Sequence, residues 1–139
     1  MKVKDAMHKG CEWVTPDTLV SAIATKMRQH DIGAVPVGEN DRLIGMVTDR
    51  DLALRAIVSG KDAARLTARD VMTGHIHYCH EDEDVDEAAE RMESRKVRRL
   101  PVIDEKKRMV GMLSLGDIAQ AASAKTAAQI AKAVTAHHV

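Results

Sequence analysis

Two short stretches of this chain set a hydroxyl three residues ahead of a carboxylate, where a β-type run gives way to a helical one: Thr48-Asp49-Arg50-Asp51 and Ser114-Leu115-Gly116-Asp117. A helix opened at such a junction turns unpaired backbone N–H groups toward an anion. The hydroxyl adds a donor, and a carboxylate three residues on has lone pairs for two adjacent hydroxyls of one ligand. The same spacing also makes a capping box, which secures a helix with no ligand at all. Both readings stand at this stage.

The other residues with chemical potential are weaker. His75, His77 and His80 lie close together, with Cys79, Asp82 and Asp84 beside them. His-x-His on a strand points both rings to one face, a pattern that suits zinc. No further ligand spacing completes it, so the segment is read as solvated chain and no metal is assigned. Cys11 and Cys79 are read as reduced thiols rather than a bridge, and His137-His138 as a frayed end. The acidic Glu81–Glu93 stretch followed by basic Arg91–Arg99 suits a solvated helix with its dipole complemented. No Ser-His-Asp or Cys-His arrangement and no P-loop is present, so no catalytic residues are assigned and the chain is read as non-enzymatic.

Composition narrows the partners. The 139 residues carry 21 basic and 21 acidic side chains, and the aromatics are Trp13 and Tyr78 with no Phe. A nucleic-acid-binding surface calls for basic excess or stacking platforms, so neither DNA nor RNA is expected. No run approaches the ~20 apolar residues of a membrane span. The start, Met1-Lys2-Val3-Lys4-Asp5, lacks the apolar stretch of a signal peptide, and the expectation is a cytoplasmic protein.

The elements that must hold the two hydroxyl–carboxylate pairs are repeated. Asp5-Ala6-Met7 returns as Asp70-Val71-Met72, and Ala34-Val35-Pro36-Val37 as Arg99-Leu100-Pro101-Val102, both offset by 65. Gly45-Met46-Val47-Thr48 returns as Gly111-Met112-Leu113-Ser114, and Asp51 as Asp117, offset by 66. Val20, Ile23, Ala24 and Met27 match Val85, Ala88, Ala89 and Met92 and have the spacing of one helix face. Thr18 stands at the N-cap position of the first helix, and Glu83 or Asp84 at that of the second. Two β runs follow in each copy: Ala34–Val37 and Leu43–Thr48 around Gly38–Asp41, then Leu100–Ile103 and Met109–Ser114 around Asp104–Arg108. Pro36 and Pro101 argue for edge strands. Helices then begin near Asp49 and Leu115. An alanine-rich helix is expected over Ala119–Ala136, with Ala128, Ile130, Ala131 and Val134 on one face, packed on its own domain, a second subunit or a partner. The fold expected is α+β: two β-α-β-β-α repeats over 1–66 and 67–122, packed with pseudo-twofold symmetry, and a helical extension over 123–139.

Ile32-Gly33-Ala34-Val35-Pro36 with Gly45-Met46-Val47-Thr48-Asp49-Arg50-Asp51, and Val97-Arg98-Arg99-Leu100-Pro101 with Gly111-Met112-Leu113-Ser114-Leu115-Gly116-Asp117, make the chain resemble the CBS domain family. In particular it resembles small stand-alone bacterial two-CBS proteins of the hypoxic-response type. The resemblance implies a regulatory module that binds an adenosine-containing ligand (AMP, ADP, ATP, NAD or S-adenosylmethionine) as a regulatory ligand rather than a cofactor. It implies a homodimer that signals to an effector protein. A ligand-free interaction module and a metal- or redox-responsive switch are the alternatives.

By the same resemblance, Thr48 or Ser114 meets a phosphate, Asp51 or Asp117 a ribose, and Val47 or Leu113 flanks the base. The cleft on Ser114 and Asp117 would gain Arg98 and Arg99 as phosphate partners. Ile32, Gly33 and Ala34 would wall its base pocket and the Met7–Glu12 segment would close it. The cleft on Thr48 and Asp51 has Gly33 and Ala34 where the arginines would be, with Arg50 as partial compensation, and its base pocket would be lined by Val97, Arg98 and Arg99. The first cleft is therefore expected to bind a phosphorylated adenosine more tightly.

Overall fold

The computed structural model describes residues 1–10, 12–121 and 124–135. Cys11 and the His137-His138 pair lie outside them. The chain divides into two compact units, one of Met1–Cys11 with His77–Val139 and one of Glu12–Ile76. The sequence periods 1–66 and 67–122 are thus not the packing units. The first unit includes helix α1 (Val3–Ala6) from the start of the first copy, because Val3 is fully buried among Val85, Ala88, Met92 and Leu100. The second includes helix α4 (Ala68–Val71) from the start of the second copy, with Ala68 and Val71 buried among Ile23, Val35 and Val47.

In the Glu12–Ile76 unit, helix α2 (Val20–His30) buries Val20, Ile23 and Met27 against Val35, Val37 and Val47 of the following hairpin. Ala24, expected on that face, is exposed. The helix begins after Leu19, with no side-chain cap. Thr18 does not cap it; its hydroxyl accepts from the Thr15 amide instead (3.2 Å). Strands β2 (Ala34–Glu39) and β3 (Arg42–Thr48) pair antiparallel. Asn40 and Asp41 join them, both with positive φ (53° and 63°), as a two-residue primed turn requires. Pro36 fits because its carbonyl, not its nitrogen, is used: it accepts from the Val14 amide at 3.0 Å. Helix α3 (Asp49–Asp51) runs on into a π-helical turn, Leu52–Ile57.

In the other unit the sheet order is β1-β6-β5-β4, from β1 (His8–Lys9), β6 (Met109–Ser114), β5 (Arg99–Ile103) and β4 (Cys79–His80). Pro101 therefore sits on an inner strand, not at an edge. It is tolerated because β4 reaches only Val102 and Ile103 of that strand. Helix α5 (Val85–Arg95) buries Val85, Ala88, Ala89 and Met92 and is capped by the Asp84 carboxylate, which accepts from the Asp86 amide. The Asp104–Arg108 loop is organised by Asp104. The Lys106 and Arg108 amides donate to its Oδ1 at 2.9 Å, and the Arg108 amide above all holds its carboxyl below the usual carboxylate range.

Helix α6 (Leu115–Ala121) follows β6, and helix α7 (Ala124–Thr135) packs on α5 and α6. Within the stretch 119–136, where one helix is expected, the described residues are helical on both sides of 122–123, and Ala124–Thr135 covers its own unit. No helix among the described residues is long and apolar enough to cross a membrane.

Candidate ligand site

Each unit builds its hydroxyl–carboxylate pair in the same way. Helices α2 and α5 end at Asp31 and Lys96, both left-handed (φ 50° and 56°). The next amides, Ile32 and Val97, close back on the Met27 and Met92 carbonyls at 3.0 and 3.1 Å, a helix stop that satisfies otherwise orphaned carbonyls. This returns the chain beside the start of the following helix. The Gly33 carbonyl accepts from the Asp49 amide at 3.0 Å, and the Arg98 carbonyl from the Leu115 amide at 2.7 Å. Gly33 and Ala34 thus stand with Thr48 and Asp51 in one unit, and Arg98 and Arg99 with Ser114 and Asp117 in the other.

Both capping boxes are formed. The Ser114 amide donates to Asp117 Oδ2 at 2.8 Å, and the Asp117 amide to Ser114 Oγ at 3.1 Å. The Thr48 amide donates to Asp51 Oδ2 at 2.9 Å, and the Asp51 amide to Thr48 Oγ1 at 3.0 Å. First-turn amides expected to face an anion are therefore largely engaged already. Each hydroxyl, accepting through its oxygen, still has a proton to donate.

The two halves differ in charge. Arg98 is exposed and Arg99 half-buried, and neither guanidinium has an ion-pair or hydrogen-bond partner among the described residues. At the matching place in the other unit, a Cβ on Gly33 would lie 3.1 Å from Asp49 Oδ2. A carboxylate thus borders the spot where the other half carries a guanidinium. The Arg50 amide is taken by Asp49 Oδ1 at 2.9 Å, and Arg50 itself is exposed. Leu115, the counterpart of Asp49, offers no acceptor.

The CBS domain model matches residues 3–57 and 68–124. The chain belongs to the CBS domain family. It is 37% identical to Hypoxic response protein 1 of Mycobacterium tuberculosis over 132 residues, 94% of this chain and 92% of that protein. The crystal structure of Hypoxic Response Protein I with two coordinated zinc ions superposes with a TM-score of 0.81, covering 88% of this chain and all of that one. The CBS domain pair of protein MJ0100, in complex with 5′-methylthioadenosine and S-adenosyl-L-methionine, is 28% identical with a TM-score of 0.76, over 87% of this chain and 98% of that one. CBSX2 in complex with AMP is 26% identical with a TM-score of 0.74, over 86% and 94%. The chain is thus a CBS pair of the regulatory kind.

Two expected CBS contacts are corrected by burial. Val47 and Leu113 are fully buried in the cores of their units and present no surface to a base. Strand alternation puts Met46 and Met112, both half-buried, on the face shared with Thr48 and Ser114. Ile32 and Val97 pack partly into the cores, and Ala34 is buried.

Sequence reasoning singled out neither of two further residues, although it expected the Met7–Glu12 segment, which holds His8, at the Ser114/Asp117 pocket. His8 Nδ1 lies 2.8 Å from Asp117 Oδ1, and the Thr73 hydroxyl lies 3.5 Å from Asp51 Oδ1. Each follows the methionine of an Asp-x-Met repeat and pairs with the strand leading into the site, His8 opposite Met112 and Thr73 opposite Met46.

The histidine–cysteine stretch places its cysteine in the core. Cys79 is a core residue of its unit, and burial pushes its thiol up to about 12, which disfavours the thiolate that metals and oxidants require. Among the described residues, no three His, Cys, Asp or Glu side chains come together in a way that suits a metal ion.

Proposed function

We propose that this CBS pair is a non-enzymatic sensor that takes an adenosine-containing ligand at Asp117 and signals its binding state to an effector protein in the cytoplasm. The observation that carries the reading is the Asp117 carboxylate. It is fixed by the Ser114 amide at the opening of α6, with the unpaired Arg98 and Arg99 on the neighbouring segment. Such a carboxylate accepts from the hydroxyls of a diol, and such guanidiniums donate to a phosphate. The bound adenosyl compounds named for MJ0100 and CBSX2 support the ligand class. The Ser114/Asp117 half is the tighter one for a phosphorylated ligand, because Asp49 sets like charge against a phosphate in the other half. As suits a regulatory CBS pair, the ligand is expected to be recovered unaltered.

A thermal-shift screen against AMP, ADP, ATP, NAD and S-adenosylmethionine tests the proposal. A ligand at ~100 times its dissociation constant stabilises the fold by about 2.7 kcal/mol, a rise of several degrees for a chain of this size. No shift with any of them contradicts the reading and favours a ligand-free interaction module. Hypoxic Response Protein I carries zinc, so Zn2+ belongs in the same screen. A shift with zinc alone favours a metal-responsive switch.

We also read the module as a homodimer. Leu54, Ile57 and Val58, spaced along one face of the π-helical turn and the residue after it, are 52, 75 and 71% exposed, an apolar stripe of the kind that marks association. Sedimentation at tens of micromolar is expected to give about twice the 15.2 kDa chain mass, and Ile57→Glu to return the monomer. A monomeric wild type contradicts the assignment.

A further inference from the structure

Asp117 is enclosed, its side chain 7% exposed, whereas the His8 side chain that meets it is 79% exposed. Both carboxylate oxygens are engaged: Oδ2 by the Ser114 amide and Oδ1 by His8 Nδ1, each at 2.8 Å. The counterpart Asp51 is held more loosely on its second oxygen, by the Thr73 hydroxyl at 3.5 Å and Arg55 Nε at 3.9 Å. His8 is supplied by β1, a two-residue strand whose backbone pairs with β6 at Met112 and Gly111.

We propose that His8 is a built-in competitor for the ligand: it occupies the Asp117 oxygen that a ribose diol needs, so binding at this half exchanges imidazole for diol. The inference rests on the reading of Asp117 as a diol acceptor. A diol that chelates a carboxylate needs an open approach to both oxygens. Oδ2 can take a hydroxyl beside the Ser114 amide, because each carboxylate oxygen has two lone pairs. Oδ1 is met by the Nδ1 edge of the His8 ring, which fills a lone pair and crowds the approach.

One partner can yield and the other cannot. Asp117 is buried and tied into the capping box, and moving it would break the start of α6. The His8 ring is in solvent and leaves by rotating about its own side-chain bonds, with the β1–β6 pairing intact. The ligand must therefore match the bond from imidazole to carboxylate before it gains anything. The other unit, with a hydroxyl at this position and a longer contact, imposes a weaker barrier of this kind. His8 thus lowers the affinity of the half that the arginines would otherwise favour, and sets the concentration range over which the sensor responds.

Titration of the full chain with adenosine, which has no phosphate to attract the imidazole, tests the exchange. His8→Thr, which installs the contact of the other unit, is expected to bind roughly three- to tenfold more tightly than wild type, the size of one net hydrogen bond. His8→Ala is expected to move the same way, which guards against a fault peculiar to threonine. In wild type, saturating adenosine is expected to shift the His8 ring resonances toward those of a free imidazole, and this shift disappears in Asp117→Ala. A merely structural role for His8 produces neither the tightening nor the shift. Equal or weaker binding by both His8 variants overturns the exchange while leaving Asp117 as the acceptor. Tighter binding by His8→Thr but not by His8→Ala assigns the gain to the threonine hydroxyl and overturns the exchange. If wild type and both His8 variants all fail to bind adenosine and AMP, the reading of Asp117 falls and the exchange falls with it.

Discussion

Asp117→Ala is expected to weaken AMP binding by about ten- to a hundredfold, whereas Asp51→Ala leaves most of it in place. Hydrogen bonds to a charged group are worth about 1.5–3 kcal/mol, and Asp117 would supply such bonds to the ribose. The two aspartates make the same capping box, so a loss of helix capping cannot separate them. The surrounding charge does: Arg98 and Arg99 stand with Asp117, and Asp49 with Asp51. Asp117→Ala also strands the Ser114 amide, at a cost of about 0.5–2 kcal/mol in stability. Titration should therefore be run well below the unfolding transition. Asp117→Asn, which keeps an oxygen for that amide and loses the charge, is expected to fold better and still bind weakly. If Asp51→Ala abolishes binding and Asp117→Ala does not, the assignment of the tighter half is wrong.

Gly111→Ala is expected to destabilise the protein by about 1–3 kcal/mol, the usual cost of overpacking, and by clearly more than Gly45→Ala. The two glycines are counterparts in the repeat, yet they face different neighbours. A Cβ on Gly111 would lie 2.5 Å from the His8 backbone carbonyl oxygen and 2.8 Å from Met7 Sδ. The first of these is main chain of β1, held in register with β6, so relief requires the strand to move. A Cβ on Gly45 would lie 2.5 Å from Met72 Sδ and 3.1 Å from its Cγ, and an unbranched thioether adapts by changing rotamer. Urea unfolding of the two variants decides the matter, and equal losses contradict the packing argument. Because β1 carries His8, Gly111→Ala is also expected to loosen the hold on Asp117.

Most of the fold was legible because the repeat sets hydrophobic period, glycines and hydroxyl–carboxylate pairs at constant offsets. Met109–Ser114 and the helix starts at Asp49 and Leu115 follow directly from that pattern. The cap at Thr18 was not legible, since a threonine ahead of an apolar stripe can equally bond to a neighbouring turn, as it does with Thr15. The edge placement of Pro101 failed because the length of the partner strand, not its presence, decides whether a missing N–H matters. In the site, Val47 and Leu113 were misread because strand parity was not applied: residues one before Thr48 and Ser114 face the opposite side. His8 was hidden for a different reason. Its motif, Asp5-Ala6-Met7, begins the first copy, but α1 and β1 pack with the body of the second. The family resemblance brought Met7–Glu12 to the Ser114/Asp117 pocket but did not single out His8 within it; the matching positions of His8 and Thr73 in the repeat mark both as candidates.

A crystal structure of the wild-type chain grown with saturating AMP tests the central claim most directly. The account predicts AMP in the Ser114/Asp117 half, its ribose hydroxyls within hydrogen-bonding distance of the Asp117 carboxylate, its phosphate toward Arg98 or Arg99, and the His8 ring turned off Oδ1. Electron density for AMP only at Thr48 and Asp51, or at neither half, contradicts it.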